Sequence, residues 1–135
     1  MTLPFAVVLR TGLPVHDQVV FAVERALVSG QLRAGDPFPS VRALSQELRI
    51  NPNPAHRIVA TLVRDGLLEV RPGMGTIVAK RPASTAAERR ALLNDDVERV
   101  VVRARKLSLD LDDVVDAVRD HWQRLDGRRK IKQGD

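Results

Sequence analysis

The chain has 135 residues, of which 44% are hydrophobic, 29% charged and only 3% aromatic, with no cysteine. This composition is globular, and the length allows one compact domain with a modest appendage; it excludes disulfides, thiolate metal sites and thiol nucleophiles. The net charge is +5, shared as 9 basic and 6 acidic side chains over residues 1–80 and 13 and 11 over residues 81–135, and arginine far outnumbers lysine, which favours a polyanionic partner.

The opening MTLPFAVVLR has neither a basic lead nor a small-residue cleavage site, so no secretory leader is expected. No apolar run approaches the roughly 18 residues of a membrane span, so no membrane partner is expected and the protein is assigned to the cytoplasm. Residues 4–9, PFAVVL, read as a short strand. GLPVHDQVVFAVERALVSGQL reads as a helix with Pro14 in its opening turn, Val19, Val23, Ala26 and Leu27 on one side, and Gly30 at its end. RAGDPF reads as a turn. PSVRALSQEL is a short helix with Ser40 as N-cap and Val41, Leu44 and Leu48 facing inward. After a break at RIN, NPNPAHRIVATLVRDG gives a third helix ended by Gly66. LLEVR, PGMG and TIVAK then read as strand, turn and strand. Three helices, the last two close in sequence, followed at once by a hairpin describe a mostly α fold with a small β-hairpin: a winged helix-turn-helix over residues 1–80. A generic small α+β domain is the competing description.

Residues 81–85, RPAST, read as a linker. Thr85 with Glu88 forms a capping-box pattern, and Leu93, Val97, Val100, Ala104 and Leu107 follow at steps of 4, 3, 4 and 3, a heptad seam. SLDLDD breaks and restarts the helix, and Leu111, Val114, Val115, Val118, Trp122 and Leu125 continue an apolar stripe. Two such helices cannot bury both stripes on each other, so residues 86–126 are expected to form a two-helix hairpin that dimerises with a second copy. The alternative is a hairpin folded back on its own N-terminal domain. Residues 127–135 read as a basic flexible tail.

The first turn of the third helix bears the chemistry. With Ala55, Ile58, Val59 and Leu62 on the buried face, Asn53, Arg57, Ala60 and Arg64 point outward and His56 and Thr61 flank them. Asn53, His56 and Arg57 can donate to base edges or phosphates, and in helix-turn-helix proteins this end of the second helix enters the major groove. Pro52 and Pro54 are tolerated in a first turn and stiffen it. Asn51 is expected to cap the helix; Asn53 reads equally as an outward donor or as the cap of a helix starting at Pro54. His56 reads equally as a contact or a solvated side chain. Ser40 and Arg42, at the start of the preceding helix, can hold a phosphate, with Arg49 on the same side. In the wing, Gly73 and Gly75 allow a tight turn and close backbone approach, and Arg71 can reach a minor groove; an ordinary hairpin turn would use the same glycines.

The stretch SGQLRAGDPFPSVRALSQELRINPNPAHRIVATLVRDGLLEVRPGMGTIVA resembles the DNA-binding domain of the GntR family of bacterial transcriptional regulators, from about Pro14 to Ala79. The motifs are G-D-x-x-P-S-x-R, N-P-N, L-x-x-x-G-L-L-E and G-x-G-T, and the short helical tail looks most like the YtrA-type branch. The resemblance implies a homodimer joined through the tail. It also implies operator contacts from Arg42, from the helix head between Asn53 and Arg57, and from Gly75. Pro54 stands where the family commonly has threonine, which removes a hydroxyl and an N–H. His56 departs from the small polar or basic residue often found there.

These observations favour a dimeric repressor of a transporter-type operon, bound to a palindromic double-stranded operator and so nucleoid-associated. A winged-helix module for protein or RNA, without operator specificity, is the second reading. The length disfavours the large effector domains of other GntR branches. An enzyme is disfavoured, since no nucleophile–base pair or convergent carboxylate site is legible and the Asp110, Asp112, Asp113 and Asp116 cluster fits a helix start. His16, His56 and His121 lack ligand spacing, so neither metal nor other cofactor is expected. Room remains for a small-molecule effector, with no residue pointing to it.

Overall fold

Helix α1 (Val15–Ser29) begins just after Pro14, where a missing N–H costs nothing because first-turn donors have no intrahelical acceptor. It ends at Gly30, whose φ of 84° is the left-handed conformation that a helix C-cap favours. Val19, Ala22, Val23 and Ala26 form its buried stripe, and the half-buried Leu27 borders it.

Helix α2 (Val41–Leu48) is capped by Ser40, whose side-chain oxygen accepts the Ala43 N–H at 3.1 Å. Helix α3 (Pro52–Arg64) follows after three residues. Leu44 and Leu48 of α2 meet Ala55, Ile58 and Leu62 of α3 and Val19 and Val23 of α1 in one core. Gly66, at φ 80°, follows the last turn of α3 and sends its N–H back to the Val63 carbonyl at 3.0 Å.

Strands β1 (Leu68–Arg71) and β2 (Gly75–Val78) pair antiparallel, from Leu68 opposite Val78 to Arg71 opposite Gly75. RAGDPF is more than the turn the sequence indicated. Gly35 N–H donates to the Val78 carbonyl at 2.8 Å, Val78 N–H to the Asp36 carbonyl at 2.8 Å, and Phe38 N–H to the Thr76 carbonyl at 2.9 Å. Residues 35–38 therefore run along the outer edge of β2 and fix the wing to the start of α2. Residues 4–9, expected as a strand, form none. The outer edge of β2 is already taken by residues 35–38, and the segment exchanges no backbone hydrogen bond with β1. It is held by side chains instead, with Phe5 stacked on Phe38 at 5.8 Å between ring centroids.

The structure, a computed structural model, describes residues 3–126, and these divide between Pro82 and Ala83 into two units. In the second unit α4 (Ala86–Arg90) opens on a complete capping box: Thr85 N–H donates to Glu88 Oε1 at 2.9 Å and Glu88 N–H to Thr85 Oγ1 at 3.1 Å. A π-helical stretch, Ala91–Asp96, separates α4 from α5 (Val97–Lys106). Each i→i+5 turn takes one residue more than an α turn. The step from Leu93 to Val97 crosses this stretch, so Leu93 is out of strict heptad phase with Val97, Val100 and Ala104, a correction to the seam expected from spacing alone. Ser108, at φ 60°, ends α5 with Leu109 N–H returning to the Ala104 carbonyl at 3.0 Å. Helix α6 (Leu111–Leu125) starts at Asp110, whose N–H donates to Asp113 Oδ2 at 2.9 Å. The basic tail of residues 127–135 lies outside the described residues.

Ala104 is buried and Val115 half-buried, but Leu93, Val97, Val100, Leu107, Val118 and Trp122 are exposed, Leu93 to 66% and Trp122 to 71%. Among the described residues, these apolar side chains of the helical unit are left exposed. Among the described residues no helix is long and apolar enough to cross a membrane.

Candidate nucleic-acid interface

The turn between α2 and α3 sets the angle of α3. Arg49 caps α2 at φ 56°, and the Ile50 N–H returns to the Ser45 carbonyl at 3.1 Å. The sequence placed Arg49 on the side of α2 together with Arg42. The structure instead puts it past the helix end, in a left-handed conformation that a side chain adopts only at a cost. Both arginines are exposed.

Helix α3 begins at Pro52 with Asn51 in the cap position, although the Asn51 side chain makes no cap hydrogen bond. This decides between the two roles left open for Asn53: it is the second helical residue and not the cap. Ala55, Ile58 and Leu62 are buried, Val59 half-buried, and Asn53, His56, Arg57, Ala60 and Arg64 exposed, as the period of the sequence required. The side chains of Asn53 and Arg57 make no hydrogen bond or ion pair with any described residue. Arg64 differs, pairing with Asp65 at 3.5 Å.

The helix is held from behind by a contact that spacing did not reveal. His16 Nε2 on α1 lies 2.8 Å from Thr61 Oγ1 on α3. The sequence gives His16 no role beyond its lack of metal-ligand spacing, whereas the structure uses it as a polar fastener between two helices.

Ser40 and Arg42 open α2. The Ser40 oxygen is engaged as the cap, accepting the Ala43 N–H, and Arg42 in the first turn of α2 is exposed. In the wing, Gly73 at φ 79° and Gly75 at φ 83° take positive dihedrals that favour glycine, and a Cβ at either would meet only open space. These two glycines serve the backbone and leave the tip bare. Pro72 precedes Gly73, and the Met74 N–H closes on the Arg71 carbonyl at 3.0 Å. Arg71 is not a free cation here, since its guanidinium donates to Glu69 Oε1 at 3.0 Å on the same strand. That exposed pair is weak and engages only one of its five N–H donors.

A three-helix unit with a two-stranded wing, a short turn between α2 and α3, and an exposed donor-bearing head on α3 defines a winged helix-turn-helix DNA-binding protein. Residues 16–78 match the family described as "Bacterial regulatory proteins, gntR family". The chain carries a GntR-family helix-turn-helix domain and is a transcription regulator, not an enzyme. It is 22% identical over 122 residues to the HTH-type transcriptional repressor YtrA of Bacillus subtilis, covering 90% of this chain and 94% of that protein. It is 26% identical over 110 residues to YhcF, an HTH-type transcriptional regulator of the same organism, covering 82% and 91%. In fold it is similar to a structure titled as a transcriptional antiterminator from Listeria monocytogenes, with a TM-score of 0.77, 19% identity and coverage of 90% and 91%.

Proposed function

We propose that the chain is a homodimeric repressor that acts at the bacterial nucleoid, in the cytoplasm, on a transporter-type operon. It binds a palindromic operator with half-sites about one helical turn apart. Residues 1–80 bind DNA, residues 81–85 link, and residues 86–126 dimerise through Val97, Val100, Ala104, Leu107, Val115, Val118 and Trp122, with Leu93 at the edge of the seam. The observation that carries this reading is the first turn of α3, stiffened by Pro52 and Pro54, with Asn53, His56 and Arg57 exposed. Asn53 and Arg57 read base edges there, and His56 lies beside them. Ser40, Arg42, Arg49, Arg71 and the backbone at Gly73 and Gly75 hold the phosphates and the minor groove. A full-length similarity to a repressor supports the direction of control.

The test starts from an operator selected out of random duplexes, with binding followed by gel shift against salt. Arg57→Ala lowers specific affinity by about 5- to 150-fold, corresponding to roughly 1–3 kcal/mol, and relaxes the base preference. Arg49→Ala weakens all duplexes alike and reduces the salt slope by about 1. An unchanged ratio of specific to random binding in Arg57→Ala would remove α3 from the base-reading role. Failure to select any duplex would remove the operator itself.

A further inference from the structure

Residues 5–9 make no backbone hydrogen bond to any described residue. Yet the segment is ordered like a strand. Phe5, Val7 and Leu9 pack against the core, while Ala6, Val8 and Arg10 face outward, Val8 to 88% exposure. This period of two is that of a β-strand with one covered face.

One rung of the missing ladder is present in side-chain form. Arg10 N–H donates to Gln18 Oε1 at 2.7 Å, and the Arg10 carbonyl accepts from Gln18 Nε2 at 3.0 Å. That double exchange is what a residue on an antiparallel neighbour would make. Gln18 therefore marks the edge of the segment that faces α1. Because N–H and C=O groups alternate between the two edges of a strand, Val8 and Ala6 present theirs on the same edge as Arg10. A groove of about 460 Å³ runs along that edge, lined by Ala6, Val8, Arg10, Gln18, Phe21 and Arg25. The Arg25 guanidinium lies 5.0 Å from the Phe21 ring centroid. Neither Arg10 nor Arg25 has a carboxylate partner among the described residues, and no acidic residue lines the groove.

We propose that the Ala6–Arg10 edge accepts an added strand from a protein partner, an extended segment alternating acidic and apolar side chains. Its backbone continues the ladder from Gln18 to Val8 and Ala6, its apolar side chains cover Phe21, and its carboxylates meet Arg10 and Arg25. Charge selects this occupant over a second copy of the same edge. The sequence LPFAVVLR would bring another arginine and no carboxylate, and both guanidiniums would stay uncompensated. The surface lies on α1 and the N-terminal segment and uses none of the side chains assigned to DNA, so it stands or falls separately from the operator reading.

The full-length protein is titrated with an acetylated hexapeptide alternating glutamate and valine, followed by fluorescence anisotropy and amide hydrogen exchange. On binding, the Ala6 and Val8 amides slow by about tenfold or more while Val7 and Leu9 do not, the signature of one edge of a ladder. Replacing glutamate by lysine in the peptide, or Arg10 and Arg25 together by alanine in the protein, weakens binding about fivefold or more. N-methylation of the peptide at its ladder positions abolishes binding while leaving every side chain intact. Equal binding of the lysine peptide, insensitivity to N-methylation, or protection on Val7 and Leu9 overturns the proposal. So does rapid oxidative cross-linking of Val8→Cys chains, which have no other thiol, because it assigns the edge to a second copy.

Discussion

Arg49 is asked to satisfy two requirements that conflict. Its φ of 56° is the geometry that lets α2 stop and α3 start within three residues, and a side chain holds it only under strain. Glycine would relieve that strain at the cost of a more flexible unfolded chain, two effects of about 1 and 0.5 kcal/mol. Arg49→Gly is therefore expected to melt at the same temperature or slightly higher while losing affinity for every duplex alike. A calorimetric scan beside a gel shift separates the two, and a large drop in melting temperature would deny the strain. Glu24 on α1 is the opposite kind of residue, one whose charge is merely tolerated. Burial, and then the Asp65 carboxylate at the end of α3, hold its carboxyl above the usual range. A raised carboxyl binds its proton more tightly in the folded state, so it favours folding at pH below the unfolded value of 4.5 and that contribution fades as pH rises through the folded one. Glu24→Gln should then raise stability slightly at pH 7 and not at pH 4, by less than about 0.5 kcal/mol because the group is largely solvated. Denaturation at the two pH values checks the sign.

At the level of elements, the three helices were legible because each carries an apolar stripe of helical period over a core of small aliphatic residues. The head of α3 was legible for the same reason: once Ala55, Ile58 and Leu62 turn inward, Asn53 and Arg57 have no other direction to point. Three things were not. The pairing of residues 35–38 with β2 joins segments some forty positions apart, and no local pattern in RAGDPF records its partner. Residues 4–9 read as a short strand and yet pair with none, because pairing depends on an edge located elsewhere in the fold. The π-helical stretch left no trace either, containing neither proline nor glycine to mark it. The N-terminus of α2 offers a test at this scale. Ser40→Asp preserves the cap and complements the helix dipole, so stability should hold or rise. If the first turn of α2 lies on the DNA backbone as proposed, the added negative charge meets phosphates, and affinity for operator and random duplex should fall together. Unchanged binding would move the first turn of α2 away from the DNA backbone.

For the whole molecule, the decisive quantity is how much apolar surface the helical unit leaves to a partner. Val100 is half exposed in the chain, so placing a carboxylate there disturbs little inside one subunit and a great deal inside a dimer seam. Val100→Asp is expected to shift the protein to monomer in analytical ultracentrifugation and to weaken operator binding more than half-site binding. An unaltered sedimentation profile would show that Val100 lies outside the assembly surface.

Trp122 is the sole tryptophan of a chain that lacks tyrosine, and it stands on that open face, 71% exposed. Its emission is therefore a native probe of one event. Anything that seats against α6 should shift the spectrum to the blue, and dilution should reverse it, without any attached dye. Melting of the N-terminal unit, which holds no indole, should pass almost unseen in the same cuvette, so the optical signal and the calorimetric one need not share a midpoint.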